Sequence, residues 1–157
     1  MSAARSSRPH ALAPSSHPFL RDFDPPFLHG LAPASQERTF AADEYLLRDG
    51  GEADGFYLLL HGKVALEIAT PERPRLTIQT LGPGEVLGWS WLLPSHRWHL
   101  DARAVKETRA IVLEAAALRH AIDAHPRDGV RFLTALLPII GQRLANTRIQ
   151  LLDIHRG

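Results

Sequence analysis

The middle of this chain, residues 44–113, consists of short apolar runs separated by turns that contain glycine. Short runs bounded by glycine and proline are typical of an antiparallel β-structure. We predict roughly seven or eight strands, which at this spacing form a small antiparallel β-barrel or jelly roll. The His61–Gly62 step is predicted to be a tight hairpin turn that pairs residues 56–60 with residues 63–68, because glycine accepts a positive φ without strain.

The segments on either side of this β-region have different patterns. Residues 1–18 are rich in Ser, Ala, Pro and Arg, and we predict a disordered tail. Residues 19–40 contain prolines and a glycine, which allow only short helices that cap the β-core. After the last strand an alanine-rich helix is predicted to end at the His125–Pro126 step, and a longer helix follows. Residues 19–157 are therefore predicted to form one domain, mainly β with two C-terminal helices, and we expect no DNA-binding domain.

The second C-terminal helix has an apolar stripe along one side. The stripe can pack on the barrel, or it can form the seam of a homodimer or dock a partner protein, and these roles stay open. Pro138 lies within the helix and predicts a kink. The apolar residues of the stripe are Val130, Leu133, Leu136, Leu137, Ile140, Leu144, Leu151 and Leu152.

Composition narrows the class of function. A chain of 157 residues, of which 45% are hydrophobic, can bury one substantial core. The formal net charge of +1 creates no strong field, so we expect neither nucleic acid nor a membrane as a partner. The chain has no cysteine, which excludes disulfides and thiolate chemistry and fits a reducing compartment. We therefore expect a cytoplasmic protein.

All three tryptophans of the chain, Trp89, Trp91 and Trp98, lie within one glycine-bounded segment, residues 84–104. Aromatic rings in such a segment can stack on a flat ligand. They can equally fill a pocket from within and gain burial energy. Both roles stay open at this point.

Polar residues of the same segment give weaker indications of a binding, metal or catalytic site. In an extended chain Arg97 and His99 face the same side, where they can bind an acidic ligand or respond to pH. No H-x-H pair is present, so no metal site is expected. Ser90 lies outside any G-x-S-x-G elbow, and nothing in the sequence pairs it with a base. We therefore expect neither an enzyme nor a cofactor.

Three segments, in this order, carry a resemblance: LLRDGGEADGFYLLLHGKVALEI, LGPGEVLG and DARAVKETRAIVLEAAALRHAI. Together they resemble the cyclic nucleotide-binding domain of the catabolite activator and protein kinase A regulatory-subunit type. The resemblance covers residues 27–154 and implies a β-barrel, two C-terminal helices, a regulatory role and a nucleotide held in the glycine-bounded loop. The glycines that fall at turns where the family also uses glycine are Gly51, Gly55, Gly62, Gly82, Gly84 and Gly88.

The residues that hold the nucleotide in that family are replaced here. The glutamate that bonds the ribose hydroxyl corresponds to Trp89, and the arginine that pairs with the cyclic phosphate corresponds to Trp98. Bulky residues, His99 and Leu100, stand where the family has small ones. An indole has a single N–H donor and no charge. Losing two such anchors is expected to weaken cyclic-nucleotide binding by roughly two to four powers of ten.

We therefore predict a stand-alone regulatory or sensor domain whose ligand, if it has one, is a small anion or a nucleotide other than ordinary cyclic AMP. One alternative is a constitutive structural or protein-interaction module with a pocket plugged by tryptophan. A second is a genuine cyclic-nucleotide binder in which Arg97, one position early, supplies the missing charge. The ligand-binding residues predicted are Gly88, Trp89, Ser90, Trp91, Arg97, Trp98 and His99.

Overall fold

The computed structural model describes residues 17–156. One-turn 3₁₀ helices at Pro18–Leu20 and Ala32–Ala34 flank the helix α1, Pro25–Leu31. The C-terminal helices are α2, Ala115–Ala124, and α3, Pro126–Arg156. In this part of the chain the strands are β1 Ser35–Phe40, β2 Tyr45–Leu47, β3 Gly55–His61, β4 Val64–Ile68, β5 Leu76–Leu81, β6 Val86–Leu87, β7 Asp101–Ala104 and β8 Thr108–Glu114.

These strands form two antiparallel sheets of four strands each, so the predicted jelly-roll architecture is confirmed. One sheet has the order β1-β8-β3-β6, and the other has the order β2-β7-β4-β5. Leu58, Leu66 and Leu87 are fully buried in the core. Burying each such side chain contributes about 1.5–3 kcal/mol to the hydrophobic stabilisation of the fold.

The predicted hairpin at His61–Gly62 is wrong, because the two strands that it joins lie in different sheets. β3 pairs with β6 and β8, whereas β4 pairs with β5 and β7. Gly62 has a φ of 98°, and a Cβ at this position would meet the side chain of Thr108 and the carbonyl oxygen of Glu107. Glycine is therefore required where two corners of the jelly roll touch. The N–H of Lys63 donates to Thr108 Oγ1 at 3.2 Å and ties the two corners together.

Strand β1 corrects the prediction for residues 19–40, which contained only short helices. β1 is an edge strand that pairs with β8, in a register from Ser35 opposite Leu113 to Phe40 opposite Thr108. Its sequence, SQERTF, is mostly polar, and only its first and last residues are buried. An edge strand with a largely solvated face lacks the apolar run that identifies inner strands.

A cluster of phenylalanines joins the N-terminal segment, β3 and α3. The ring centroids of Phe19, Phe56 and Phe132 lie 5.3 to 5.5 Å from one another. Phe56 and Phe132 are fully buried. Aromatic pairs at this spacing add stabilisation beyond their buried area, so the cluster fixes α3 against the barrel.

The predicted boundary between the two C-terminal helices is confirmed. α2 ends at Ala124, and the N–H of His125 donates to the carbonyl oxygen of Ala121 at 2.9 Å. α3 begins at Pro126, where the missing N–H of proline costs no helical hydrogen bond. Pro138 lies inside α3, which continues as one helix of 31 residues. Among the residues described, no helix has the length and apolar character needed to cross a lipid bilayer.

The predicted tail, residues 1–18, lies outside the described residues except for its last two. Of these, His17 is buried, with Nε2 lying 3.0 Å from the carbonyl oxygen of Leu59. Its Nδ1 accepts the N–H of Phe19 at 3.1 Å. His17 is therefore part of the packed domain.

Candidate functional site

The tryptophan loop, residues 88–100, begins directly after β6 with a sharp turn. Gly88 has a φ of 89°, and a one-turn helix, Ser90–Leu92, follows it. The indole N–H of Trp91 donates to the carbonyl oxygen of Gly88 at 2.8 Å. Trp91 is 1% exposed, and its ring lies 6.4 Å from that of Phe56. Trp91 therefore holds the turn from the core side.

Trp98 fills the space between two glycine turns. The backbone N–H of Trp98 donates to the carbonyl oxygen of Gly51 at 2.9 Å. Its backbone carbonyl oxygen accepts the N–H of Gly50, also at 2.9 Å. Trp98 is 5% exposed. A Cβ on Gly88 would lie 3.1 Å from the ring atom Cη2, and one on Gly51 would lie 3.3 Å from Cδ1. The indole therefore spans the distance from one turn to the other.

The polar residues of the loop lie on its outer side. Arg97 is exposed, and its backbone forms an isolated antiparallel β-bridge with that of Glu52. His96 is exposed with a φ of 50°. His99 is exposed too, and its Nε2 lies 3.1 Å from Ser95 Oγ. Among the side chains that the structure describes, residues 17–154, no three histidine or acidic groups are arranged to hold a metal ion.

A cavity of about 320 Å³ lies between the tryptophan loop and α3. Trp91 and Arg97, which were predicted to bind ligand, do not line it. The predicted residues that do line it are Gly88, Trp89, Ser90, Trp98 and His99. The remaining wall is mostly aliphatic and consists of Leu47, Ile78, Leu87, Leu93, Leu100, Ile140, Leu144 and Thr147, together with Arg143.

Arg143, on α3, is a charged residue of this cavity that the sequence pattern did not single out. It is 6% exposed, and its Cζ lies 4.3 Å from the ring centroid of Trp89. Its Nη2 donates to the carbonyl oxygen of Val86 at 3.1 Å. Burial lowers the pKa of Arg143 to about 10, and the charge of Glu85 opposes this shift. No carboxylate among the described residues forms a salt bridge with it. A buried cation of this kind is costly and marks a candidate functional position.

The spacing of residues along α3 indicates that Arg143 lies on the buried face of the helix. Phe132, Leu136, Ile139 and Arg143 follow one another at intervals of four, three and four residues, which places them on one face of the helix. Phe132 and Leu136 are buried against the barrel. An arginine that continues a buried apolar face is a candidate for a functional role.

Comparison with known proteins supports the resemblance. Residues 37–125 match the cyclic nucleotide-binding domain family. A relative, the HTH-type transcriptional regulator Cmr of Mycobacterium tuberculosis, is 26% identical over 124 residues, which covers 79% of this chain and 49% of the relative. This chain therefore spans about half the length of that relative.

Solved structures share the fold. A cyclic nucleotide-binding domain from Methylobacillus flagellatus has a TM-score of 0.72 and 24% identity, covering 84% of this chain and 74% of that one. The sensor domain of the transcriptional regulator DNR from Pseudomonas aeruginosa has a TM-score of 0.67 and 22% identity, covering 86% of this chain and 87% of that one. At such identities the likeness concerns the fold alone. Because the family match extends over more than half of the residues, this chain belongs to the cyclic nucleotide-binding domain family.

Proposed function

We propose that this domain is a regulatory sensor that binds a small ligand other than cyclic AMP between the tryptophan loop and α3. The proposal rests on Trp98, whose buried indole fills the space between Gly51 and Gly88. By the resemblance, the phosphate-binding arginine belongs at this position. A cyclic phosphate would meet an apolar ring there instead of a guanidinium. The neighbouring cavity of about 320 Å³ has the size and apolar character of small-molecule sites.

The proposed signal passes from the loop to α3 through Trp89 and Arg143. Trp89 is half-buried and lines the cavity, and the guanidinium of Arg143 lies over its ring. A ligand that contacts Trp89 changes this cation–π contact and therefore the position of α3 against the barrel. The ligand must bind the two arrangements with different affinities for such a shift to occur.

Titration of the purified chain tests this function. With cyclic AMP and cyclic GMP we expect no saturable calorimetric signal at about 100 µM ligand, because the anchors for ribose and phosphate are missing. With a panel of flat aromatic compounds, neutral and anionic, we expect saturable quenching of tryptophan fluorescence, because Trp89 and Trp98 line the cavity. Saturable micromolar binding of cyclic AMP would overturn the proposal and favour the alternative that uses Arg97.

A pair of matched variants locates the binding. Thr147→Phe fills the cavity from α3 and is expected to abolish binding of the aromatic compounds. Thr134→Phe adds the same ring to an exposed position of α3 outside the cavity, and we expect it to bind like the wild type. Equal binding by both variants would place the ligand elsewhere.

A second function, a constitutive interaction module, is favoured by the same buried indole. In this case Trp98 is a permanent plug, and α3 supplies the interaction surface. The distinguishing result is that no compound of the panel binds, while the wild-type chain still associates through α3.

We also propose that α3 forms a homodimer seam, because apolar residues with exposed or half-exposed side chains recur along it at intervals of three, four and, at the end, seven. The residues of this dimer seam are Val130, Leu133, Leu137, Ile140, Leu144 and Leu151. We assign the domain no catalytic role. A cytoplasmic location is proposed from the cysteine-free composition.

A further inference from the structure

A second cavity, of about 450 Å³, lies between α3 and the turn that joins β5 to β6. Arg143 lines both this cavity and the first one. No described residue of the tryptophan loop lines the second cavity. It is therefore a separate site that shares one guanidinium with the proposed sensor cavity.

Two buried polar atoms among the residues of this second cavity have no hydrogen-bond partner in the described part of the chain. One is Nε of Arg143, which is a donor, and the other is Oε1 of Gln79 on β5, which is an acceptor. An unpaired buried donor or acceptor is costly and rare in native proteins. A molecule that offers an acceptor to Arg143 and a donor to Gln79 would satisfy both.

The second cavity also carries one charge of each sign. Arg143 supplies a buried cation, and Glu85 supplies a carboxylate at the exposed rim. Glu85 Oε2 accepts the N–H of Gly82 at 2.7 Å, which fixes the carboxylate in place. A zwitterion matches this arrangement better than a simple anion does, because a simple anion would be repelled by Glu85.

The rest of the wall is largely apolar. Val86 is buried, and Phe19 and Ile139 are partly buried and pack against the core. These three side chains can cover an aliphatic or aromatic group of the ligand.

We propose that this second cavity binds a free α-amino acid with an apolar side chain. The carboxylate of the amino acid accepts a charge-assisted hydrogen bond from Nε of Arg143. Its ammonium donates to Oε1 of Gln79 and pairs with Glu85. Its side chain contacts Phe19 and Ile139. This site goes beyond the proposed sensor function, since it has its own cavity and its own ligand class.

Calorimetric titration of the full chain with leucine, isoleucine and phenylalanine tests the proposal. We expect saturable 1:1 binding with a Kd below about 1 mM for at least one of them. N-acetyl-leucine lacks the ammonium and leucinamide lacks the carboxylate, so each is expected to bind at least about ten-fold more weakly than leucine. Absence of saturable binding of all three amino acids up to about 10 mM, or equal affinity for leucine and its two derivatives, overturns the proposal.

Variants away from the buried guanidinium test the location. Gln79→Leu removes the acceptor at similar size, and we expect it to weaken amino-acid binding about ten-fold. Gln36→Leu makes the same change at an exposed position on β1 and is the matched control. Equal loss, or no loss, in both variants contradicts the proposed site. Thr147→Phe, which blocks the first cavity, is expected to leave amino-acid binding unchanged, so failure of the sensor proposal and failure of this one are distinguishable.

Discussion

At the residue scale, the contacts of Trp98 are those of a core side chain placed in a ligand loop. The replacement of a guanidinium by an indole is visible in the sequence, and most of the predicted ligand-binding residues line one cavity. Trp91 and Arg97 are the exceptions. Trp91 points inward and donates its indole N–H to Gly88, whereas Arg97 is exposed and forms a backbone β-bridge with Glu52. Both contacts depend on loop geometry that spacing alone does not specify.

Trp98→Ala is expected to destabilise the fold by about 3–5 kcal/mol, because it leaves a void between two glycine turns. It also removes the edge contact with Tyr57, whose ring centroid lies 6.4 Å away. Urea denaturation measures the change in the free energy of unfolding. Trp89→Ala, at a half-buried position, is the control and should cost clearly less. A loss below about 1 kcal/mol for Trp98→Ala would show that the indole is not a packing residue.

His17 is expected to make the fold less stable in mild acid. Its contacts with Leu59 and Phe19 fit the neutral ring, with Nε2 donating and Nδ1 accepting. Burial lowers its pKa from 6.5, so the unfolded chain takes up a proton at a higher pH than the folded chain does. The contribution of neutral His17 to stability is therefore complete above pH 6.5 and is lost as the pH falls from there through the lower, folded pKa.

Thermal unfolding between about pH 5 and 8 measures this dependence. His17→Gln has no titrating group at this position, and we expect a shallower fall in Tm over the acidic part of the range. His120→Gln makes the same change at an exposed position on α2 and is the matched control for the substitution itself. The same slope in wild type and in His17→Gln would show that His17 does not titrate on unfolding.

At the element scale, the apolar runs predict where strands lie but not which sheet each strand joins. The pattern around Gly62 is the same for a hairpin and for a corner between sheets, because both need a positive φ. The pairing of β3 with β8 and of β4 with β7, both far along the chain, decides between them. β1 was not predicted for a different reason. Its residues are mostly polar, and it is a strand because it pairs with β8 along one edge of the sheet.

The ion pair between Arg103 and Glu67 is expected to contribute more to the free energy of unfolding than an exposed carboxylate does. Arg103 on β7 donates from Nε and Nη2 to the carboxylate of Glu67 on β4, at 3.3 and 3.2 Å. Glu67 is 2% exposed, and its hydrogen bonds raise the pKa of Arg103. Glu67→Gln should cost about 1.5–3 kcal/mol in urea denaturation. Glu72→Gln, in the exposed turn after β4, should cost less than about 0.5 kcal/mol. Equal costs would mean that the buried pair adds no net stability.

At the scale of the whole molecule, α3 has two apolar faces with different roles. Phe132 and Leu136 face the barrel and are buried. Val130 and Leu137 lie on the other side, and each is 65% exposed. One face of α3 therefore packs on the barrel, and the other face is left exposed for the proposed dimer seam. Burial, which periodicity does not report, separates the two faces.

The dimer seam is expected to join two copies of this chain. Val130, Leu137, Leu144 and Leu151 recur every seven residues, which is the repeat of a coiled coil. Sedimentation equilibrium should give about twice the chain mass of 17.4 kDa. The double variant Val130→Lys, Leu137→Lys is expected to be monomeric with an unchanged circular dichroism spectrum, because both side chains are exposed in one copy.

A control variant separates the effect of two added positive charges from the loss of the dimer seam. Ala135→Lys with Ala145→Lys adds the same charge at exposed positions of α3 outside the repeat, and this variant should remain dimeric. A monomeric wild type at about 100 µM would contradict the dimer, because an apolar seam of this length should associate at that concentration. A dimer that persists in the Val130→Lys, Leu137→Lys variant would place the contact on another surface. If only the seam variant dissociates, the dimer forms through α3, which is the helix that carries Arg143 of the proposed sensor cavity.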